Sequence, residues 1–406
     1  MLPSQSHKWH AIESAAKKTA ALYNAKQIRT PVFESADLFL RSIGDSTDIV
    51  NKEMYVFEDK GGRRMALRPE GTAGVMRSFI ENNLGESLPL KVFYIESLYR
   101  YEQPQAGRYR EHHQFGAEFF GSELACFDVE VISMAHDFLR EVGFNDLVLH
   151  LNTIGCDKCR ARYNAALREF LSGVSEKVCG DCKRRAVTNP LRALDCKVPS
   201  CRELYKAAPK LGDYLCDDCR AHHSAVMNGL DACAIKYTED DNLVRGLDYY
   251  TRTVFEFCDG DLAVLGGGRY DGLCEQLGGK HMPCVGFGSG IERLIAAAET
   301  RGVGFCENKP QVFIASLGCE GAKDKAAAIV RELRADGISA EYDLMGKSLK
   351  AQFKYADRQG YLYVLTIGDS EMESGVYTAK RMADGQTFDV RDGTVAKDVR
   401  RILCQK

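Results

Sequence analysis

Residues 91–121 decide the fold, and they have the sequence KVFYIESLYRYEQPQAGRYREHHQFGAEFFG. Two runs of alternating apolar residues flank a loop that contains Pro104 and Gly107, which predicts an antiparallel hairpin with a long, basic tip. Alternation places the following residues on one face of the hairpin: Arg100, Glu102, His112, Gln114, Gly116 and Glu118. Because charged and polar side chains cannot form a dry core, we expect this face to bind an anionic ligand rich in hydrogen-bonding groups.

Length and composition are those of an ordinary globular protein. The chain has 406 residues, which is enough for two or three domains with a core in each. No apolar run approaches a membrane span, and the N-terminal sequence MLPSQSHKW is not that of a signal peptide. The formal net charge of −3 gives no global attraction to nucleic acid, so such a partner would be bound by local basic patches. We therefore expect a cytoplasmic protein with no membrane partner.

The order of predicted elements indicates a large first domain and a smaller second one. In the first domain we expect helices over residues 10–26, 72–82, 128–142 and 291–300, and strands over 54–58, 65–68, 236–258 and 262–268. From residue 310 strands and helices alternate, over 312–316, 322–336, 339–343, 349–359 and 361–367. This alternation predicts a separate α/β domain over residues 310–406. The first domain, residues 1–309, then includes a cysteine-rich insertion at about 156–225.

Four arginines lie where ordinary secondary structure explains them poorly: Arg100, Arg108, Arg245 and Arg293. Arginine suits phosphate oxygens because its planar fork donates two hydrogen bonds and keeps its charge. Arg293 is predicted at a helix N-terminus, where a cation opposes the helix dipole unless an anion shares the site. A single such arginine is equally well explained by a surface ion pair with Asp or Glu. The four together favour a polyphosphate ligand.

Two glycine-rich runs follow, GGGRYDG at residues 266–272 and GFGSG at 286–290. Glycine allows the backbone to approach a ligand closely or a strand to pack against a helix. Neither run is followed by Lys-Ser/Thr as in a Walker P-loop, and neither fits the dinucleotide-binding fingerprint. A tight turn is the alternative for each run, so the glycines alone do not identify a site.

The insertion holds eight of the sixteen cysteines, in four pairs with metal-ligand spacing: Cys156 and Cys159, Cys179 and Cys182, Cys196 and Cys201, and Cys216 and Cys219. Without a secretion signal, thiols or a metal are favoured over disulfides. Thiolates hold tetrahedral Zn²⁺ well, so the pairs predict a structural zinc site, with buried free thiols as the alternative. The preferred ligands are Cys179, Cys182, Cys216 and Cys219, with Cys196 and Cys201 as alternates. Cys156 and Cys159 are the least favoured pair.

Six segments occur in a fixed order along the chain. They are RTP at residues 29–31, LRPEGT at 67–72, LYRYEQPQAGRYREHHQFG at 98–116, LVRGLDYYTRTVFEF at 243–257, GGGRYDGL at 266–273 and VGFGSGIERL at 285–294. In this respect the chain resembles the histidyl-tRNA synthetases, which are class II aminoacyl-tRNA synthetases, over nearly its whole length. Pro31, Arg100 and Arg293 match class motifs 1, 2 and 3. The resemblance implies an α+β class II catalytic domain on an antiparallel sheet, with a Cys-rich insertion and a C-terminal α/β anticodon-binding domain.

The resemblance also implies roles for single residues. Arg100 would bind the α-phosphate of ATP, Glu102 the adenine amino group, and Arg108 and Arg293 the outer phosphates. His112 stands where the family often has a phenylalanine that stacks on adenine. Arg245 would lie near the α-phosphate, opposite the attacking carboxylate, so Arg245 and Arg100 are the implied catalytic residues. The histidine-binding set is then Glu70, Thr72, Gln114, Glu118, Arg245, Tyr249 and Tyr250, in which Glu118 and Tyr250 contact the imidazole nitrogens.

The implied reaction joins L-histidine to ATP, giving histidyl-adenylate and pyrophosphate, and then transfers histidine to the 3′ end of histidine tRNA. Mg²⁺ would accompany ATP, and positioning with electrostatics would carry catalysis without a side-chain nucleophile. The family is homodimeric through motif 1, so a homodimer is expected. The alternative is a non-catalytic paralogue, such as the regulatory subunit of ATP phosphoribosyltransferase. Such paralogues generally lack the anticodon domain and parts of the ATP and histidine sites.

Contacts with tRNA are expected at two places. One is the motif 2 loop, where Gln105 and Arg108 are candidates to touch the acceptor end. The other is a basic row in the second domain, Lys347, Lys350, Lys354 and Arg358, whose spacings of 3, 4 and 4 predict one helix face. An ordinary solvated helix face is the alternative for this row.

Overall fold

The computed structural model describes residues 1–44, 47, 49–102, 109–194, 196, 198–307, 309–318 and 321–404. The chain divides into two compact units, Met1–Cys306 and Glu307–Lys406. Each unit has a hydrophobic core of its own. Two of the predicted tRNA-contacting residues, Gln105 and Arg108, lie outside the described residues.

A large, mostly antiparallel sheet forms the base of the first unit. Its strands are β1 (Lys26–Gln27), β5 (Leu90–Tyr99), β6 (Glu111–Phe120), β7 (Val148–Thr153), β8 (Thr238–Glu239), β9 (Thr251–Asp259), β10 (Leu262–Arg269) and β11 (Cys284–Gly290). Their order in the described chain is β1-β5-β6-β11-β10-β9-β7-β8. The two outer pairs are parallel and the inner pairs are antiparallel. A small antiparallel sheet is formed by β2 (Phe33–Ser35), β4 (Arg64–Leu67) and β3 (Val56–Glu58).

Helices cover one face of the large sheet. They are α1 (Ser6–Leu22), α4 (Ala125–Val142) and α11 (Ile291–Thr300). Their apolar side chains share a core with inward-facing strand residues, for example Ile12 of α1, Phe138 of α4 and Phe115 of β6. The other α-helices of the first unit outside the insertion are α2 (Ala36–Ile43), α3 (Thr72–Glu81) and α10 (Leu273–Gln276). Every second side chain along these strands is buried against the helices, so the side chains between them point to the opposite face of the sheet.

The cysteine-rich insertion is helical and lies between β7 and β8. Its helices are α5 (Asp157–Gly173), α6 (Gly180–Thr188), α7 (Leu191–Leu194), α8 (Pro199–Tyr205) and α9 (Asp217–Ala232). The strand predicted over residues 236–258 is interrupted, since only β8 and β9 are extended within it. At the interruption Asp240 accepts backbone hydrogen bonds from Asn242 at 3.0 Å and Leu243 at 2.9 Å, which turns the chain. Residues 240–250 are therefore an irregular segment between two strands.

The second unit is an α/β domain around one sheet. Its strands are β12 (Val312–Ser316), β13 (Ala340–Tyr342), β14 (Tyr363–Ile367), β15 (Val376–Arg381) and β16 (Thr387–Arg391), in the order β13-β12-β14-β15-β16. Its helices are α12 (Ala322–Ala335), α13 (Leu349–Gln359), α14 (Asp369–Ser374) and α15 (Val395–Leu403). The alternation predicted up to residue 367 is present, whereas the β15–β16 hairpin and α15 were not predicted. Within the described part of the chain, no helix has the length and apolarity needed to cross a membrane.

Candidate active site

The hairpin expected from residues 91–121 is present as β5 and β6, and it forms part of a polar cleft. The two strands pair antiparallel, with Leu98 opposite His112. Phe115 lies in the core under the helices. The alternating residues Gln114 and Glu118 therefore face the other side of the sheet, as the sequence predicts.

Three of the predicted phosphate-binding arginines line one cavity of about 210 Å³: Arg100, Arg245 and Arg293. Arg100 lies one residue past the end of β5, and its Nε donates to the carbonyl oxygen of Pro69 at 2.7 Å. Arg293 lies in the first turn of α11, and its Nη1 donates to the carbonyl oxygen of Ala263 at 3.1 Å. The cavity is also lined by Glu102, Tyr109, His112, Gln114, Glu256 and Glu292. The structure thus brings together arginines that are distant in the chain, while Arg108 lies outside its described residues.

Arg245 lies in the irregular segment before β9, where an acidic side chain holds its guanidinium. Its guanidinium forms an ion pair with Glu256 on β9. Burial works against the guanidinium charge, but the Glu256 carboxylate outweighs burial, so the pKa of Arg245 is raised. Sequence reasoning missed Glu256, although a lone charged residue inside the apolar run VFEF was a usable signal. The ion pair keeps Arg245 charged and fixed at the cavity wall.

The glycine-rich strands lie directly beneath the side chains of the site. A Cβ atom at Gly266 would come within 2.3 Å of Nη1 of Arg245, and one at Gly288 within 2.3 Å of Nε2 of Gln114. At Gly286 the Cβ would lie 1.9 Å from Oε2 of Glu118. Any side chain at these positions would displace a polar group of the cleft. The glycines therefore leave room for the protein's own site residues, which the sequence analysis had not anticipated.

Glu118 is the centre of a buried polar cluster beside the arginine cavity. It accepts hydrogen bonds from the hydroxyl groups of Thr72 at 2.7 Å, Tyr94 at 3.4 Å and Tyr270. Burial raises the pKa of Glu118 to about 8, although the hydroxyl donors oppose the shift. A carboxyl group that titrates near neutral pH is well suited to exchange a proton with an imidazole.

Glu70 and Gln114 join the same hydrogen-bonded set. The Glu70 carboxylate accepts the backbone N–H groups of Thr72 at 2.7 Å and Ala73 at 2.8 Å, at the first turn of α3. Burial raises the pKa of Glu70 against the effect of these hydrogen bonds. Gln114 donates from Nε2 to the Tyr94 hydroxyl at 2.9 Å. The predicted amino-acid-binding residues of β6 and α3 are thus contiguous.

Buried tyrosines form the wall of this pocket. The rings of Tyr249 and Tyr250 are 4.8 Å apart, and that of Tyr270 lies 5.4 Å from Tyr249. Burial raises the pKa of Tyr250, so its hydroxyl stays protonated at neutral pH. Tyr94 and Tyr270 were not predicted. Tyr94 was identifiable from the hairpin register, because an aromatic residue directly opposite Gly116 indicates a ring that crosses the partner strand.

His112 lines the cavity in an uncharged form. Burial lowers the pKa of His112 to about 3, and the positive charges of Arg100 and Arg293 add to the shift. A neutral, planar imidazole can stack on an aromatic base without adding a positive charge. The stacking of His112 on adenine, implied by the family resemblance, stays a prediction.

The structure divides the insertion cysteines into two groups of four, so the preferred zinc-ligand set is wrong. The first group is Cys156, Cys159, Cys216 and Cys219, and the second is Cys179, Cys182, Cys196 and Cys201. Within each group all four sulfur atoms lie within 4.8 Å of one another. The preferred set of Cys179, Cys182, Cys216 and Cys219 took one pair from each group. The reason is how the starts of α5 and α9 meet: the backbone N–H of Cys216 donates to Sγ of Cys159 at 3.1 Å, which joins these two pairs.

The basic row of the second unit is shorter than predicted. Helix α13 begins at Leu349, after an extended Ser348, so Lys347 precedes it. The backbone N–H of Lys347 donates to Asp343 at 2.7 Å instead of continuing a helix. Lys350, Lys354 and Arg358 remain exposed on α13.

Two features define the class of this protein. One is a mostly antiparallel sheet with converging arginines on its open face, and the other is a separate α/β unit after it. This arrangement is that of a class II aminoacyl-tRNA synthetase.

Comparisons with known proteins identify the family. The family model for histidyl-tRNA synthetase matches residues 1–294, and that for the anticodon binding domain matches residues 311–402. The histidine–tRNA ligase of Halothermothrix orenii is 47% identical, covering 99% of this chain and 97% of its own. That of Clostridium novyi is 50% identical, covering 96% and 94%. The crystal structure of apo histidyl-tRNA synthetase from S. aureus is similar with a TM-score of 0.82 and 37% identity, covering 98% and 96%.

The chain belongs to the histidyl-tRNA synthetase family. The predicted family and fold class are therefore confirmed, including the anticodon-binding domain.

Proposed function

We propose that this chain is a histidine–tRNA ligase. It activates L-histidine with ATP to histidyl-adenylate and pyrophosphate, and then transfers histidine to the 3′ end of histidine tRNA. The observation that supports this best is the convergence of Arg100, Arg245 and Arg293 on one cavity beside the buried Glu118. The relatives named histidine–tRNA ligase match nearly the full length of the chain, which supports catalysis over a regulatory paralogue.

ATP binds in the arginine-lined cavity. Arg100 holds the α-phosphate, and Arg293 holds the outer phosphates together with Arg108. Glu102 accepts a hydrogen bond from the adenine amino group, and the neutral ring of His112 stacks on the base. Mg²⁺ accompanies the phosphates and offsets part of their charge when it is bound.

Adenylate formation is an in-line displacement at the α-phosphorus. The carboxylate of histidine attacks, a bond to the α-phosphorus forms, and pyrophosphate leaves with the electron pair of the broken bond. Arg245 supplies a fixed positive charge beside the attacking carboxylate and the α-phosphate, in a site where burial strengthens electrostatic interactions. In the free protein Glu256 balances this charge. Fixed guanidinium groups need little rearrangement as charge moves onto pyrophosphate.

Histidine binds in the adjoining polar pocket. Glu70, Thr72 and Gln114 orient its α-amino group, and Glu118 and Tyr250 contact the two imidazole nitrogens. Both Glu118 and Tyr250 are buried. An analogue that lacks one ring nitrogen would leave a buried polar group without a partner, which gives strong selection for histidine.

The second unit serves tRNA recognition. The anticodon-binding model covers residues 311–402, and regulatory paralogues of this family generally lack that domain. The exposed cations on α13, Lys350, Lys354 and Arg358, are suited to phosphate contacts. On the family resemblance we also infer a cytoplasmic homodimer formed through the motif 1 segment around Pro31, with Gln105 near the acceptor end of the tRNA.

Histidine-dependent ATP–pyrophosphate exchange by the purified chain tests this proposal. We expect exchange that requires histidine, is not supported by the other amino acids, and is followed by charging of histidine tRNA. A chain that binds histidine and ATP but catalyses no exchange would instead be a regulatory paralogue.

A further inference from the structure

The two cysteine groups of the insertion have the geometry of two separate metal sites. In the first group Sγ of Cys156 lies 3.6 Å from that of Cys159 and 4.0 Å from that of Cys216. In the second group Sγ of Cys179 lies 3.8 Å from that of Cys196. With Zn–S bonds of about 2.3 Å, the sulfur atoms of a tetrahedral site are about 3.8 Å apart. A disulfide would bring two sulfur atoms to about 2.05 Å, so these spacings fit four thiolates around one ion.

Backbone N–H groups point at the sulfur atoms of both groups. The N–H of Cys216 donates to Sγ of Cys159 at 3.1 Å, and that of Cys179 donates to Sγ of Cys201 at 3.3 Å. Val198 donates to Sγ of Cys196 at 3.4 Å. Such donors stabilise thiolate over thiol, and they are the outer hydrogen bonds that orient metal ligands. Each group therefore combines four convergent sulfur atoms with backbone N–H donors to one of them in the first group and to two in the second.

Residues beside each cysteine group hold the segment that carries Arg245 and Tyr250. Arg160, which follows Cys159 in α5, donates from Nη1 to the carbonyl oxygen of Tyr250 at 2.7 Å. This segment is irregular, so side chains from the insertion take the place of a strand or helix hydrogen-bond ladder. Arg160, the residue next to Cys159 of the first cysteine group, therefore contacts the backbone of Tyr250 in the proposed histidine pocket.

The second cysteine group is linked to the same segment through Asn189, which follows α6, and Arg192 of α7. Arg192 donates from Nη2 to the carbonyl oxygen of Gly246 at 2.6 Å. Asn189 donates from Nδ2 to Asp248 at 2.9 Å. Both residues lie between Cys182 and Cys196 in the chain, so their positions depend on where these two cysteines fix the ends of the stretch that carries them. The backbone that follows Arg245, from Gly246 to Tyr250, is therefore held from the insertion.

We propose that the insertion binds two Zn²⁺ ions, one in each cysteine group, and that the insertion they fold positions residues 245–250 for catalysis. Arg160, Asn189 and Arg192 are positioning residues that act through this segment. The positioning role rests on the proposed function, whereas the two metal sites do not. Metal analysis therefore tests the two zinc sites, and the rate of adenylate formation tests the positioning role, so either proposal can be refuted without the other.

Metal analysis of paired cysteine variants tests the two sites. We expect two zinc ions per wild-type chain and one in each double variant, C216S/C219S for the first group and C179S/C182S for the second. A single site made from those four cysteines would lose all its metal in either variant, and that result would overturn the proposal. The matched control is C126S, which removes an exposed cysteine outside both groups and should leave two zinc ions bound.

The wild-type protein gives the same answer if a variant fails to fold. Titration with a thiol-specific mercurial in the presence of a chromogenic zinc indicator should release two zinc ions as the eight grouped thiols react. Replacement of zinc by Co²⁺ should give the absorption bands of tetrahedral thiolate coordination. Disulfides, iron or no metal in the purified chain would overturn the proposal.

Arg192→Ala tests the positioning role. We expect the variant to keep two zinc ions but to lose about tenfold or more in kcat for histidine-dependent exchange, with little change in KM for ATP, because Arg245 acts in the transition state. Arg192→Lys, which keeps one charged donor, should recover part of the loss. The control is Arg184→Ala, an exposed residue of α6, which should behave as wild type. Wild-type kcat in Arg192→Ala would overturn the positioning role, while absence of exchange in the wild-type chain would refute the proposed function and leave the zinc count standing.

Discussion

Replacing Glu118 with glutamine should remove one limb of the pH dependence of histidine binding. Burial raises the pKa of Glu118 to about 8, and the imidazole of free histidine titrates at about 6.5. Between these values the free protein carries a proton on Glu118, and the free ligand has a neutral ring. Binding then shares that proton between carboxylate and imidazole, and none is taken from solvent.

The magnitude follows from proton linkage. Above about pH 8 the free Glu118 is ionised, so binding must take up a proton and the wild-type affinity should fall about tenfold per pH unit. Glutamine does not titrate, so Glu118→Gln should lack this limb. At pH 7.5 the variant should bind histidine about ten- to a hundredfold more weakly, because a hydrogen bond to a charged group contributes about 1.5–3 kcal/mol.

Isothermal titration calorimetry from pH 7 to 9, in buffers with different ionisation heats, measures both the affinity and the protons taken up. The amino group of histidine titrates equally for both proteins, so the ratio of their dissociation constants isolates Glu118. The exposed Glu81, changed to Gln, is the matched control. A ratio that stays constant from pH 7 to 9 would refute the assignment of Glu118 to the imidazole.

The unfolding equilibrium gives a second measure of the same shift. Because the folded protein keeps the Glu118 proton after the unfolded chain has lost it, the free energy of unfolding should fall as pH rises between about 4.5 and about 8. Glu118→Gln should make this fall smaller, as measured by urea unfolding of the ligand-free proteins.

Three further predictions concern the glycines beneath the site, the second unit and the cations of α13. Gly286→Ala should raise KM for histidine in the exchange assay, because its Cβ would lie 1.9 Å from Oε2 of Glu118. The control is Gly304→Ala, because Gly304 has open space around it. Equal KM values for the two variants would contradict the explanation. Deleting residues 310–406 should reduce tRNA charging more than adenylate formation, and equal losses would argue against a separate tRNA-binding unit. Neutralising the cations of α13 with Lys350→Gln, Lys354→Gln and Arg358→Gln should weaken tRNA binding. The magnitude of the slope of log affinity against log salt should fall by about 0.7–0.9 per lost phosphate contact. An unchanged slope in filter-binding assays would indicate an ordinary solvated helix face.

The parts of the site that obey a local rule were predictable from the sequence. Strand alternation placed Gln114 and Glu118 on one face of the hairpin, and the register of β5 and β6 agrees with that placement. The misplaced charge of Arg293 at a helix N-terminus likewise predicted a shared ligand site, and the residue lines the arginine cavity. Both predictions use only local sequence, namely the alternation along one hairpin and the charge at one helix N-terminus.

The parts that depend on packing were not predictable in the same way. The spacing of Cys179 and Cys182 shows that they share a helical turn, but it does not show which other pair approaches them. That partner is set by the packing of the insertion helices. The contact between Arg245 and Glu256 likewise depends on how the irregular segment folds back on β9. The glycine-rich run of Gly286 left ligand approach, strand–helix packing and a tight turn open, whereas Gly286 makes room for Glu118 of the neighbouring strand.

The contribution of Arg245 to adenylate formation tests the central claim most directly. Single-turnover formation of histidyl-adenylate by Arg245→Ala should be slower than wild type by about 100- to 1,000-fold, because a fixed charge that stabilises the transition state is lost. Circular dichroism and zinc content should be unchanged, and the exposed Arg140→Ala should react as wild type. Adenylate formation at a near-wild-type rate in Arg245→Ala would contradict a site in which distant arginines converge on one nucleotide triphosphate.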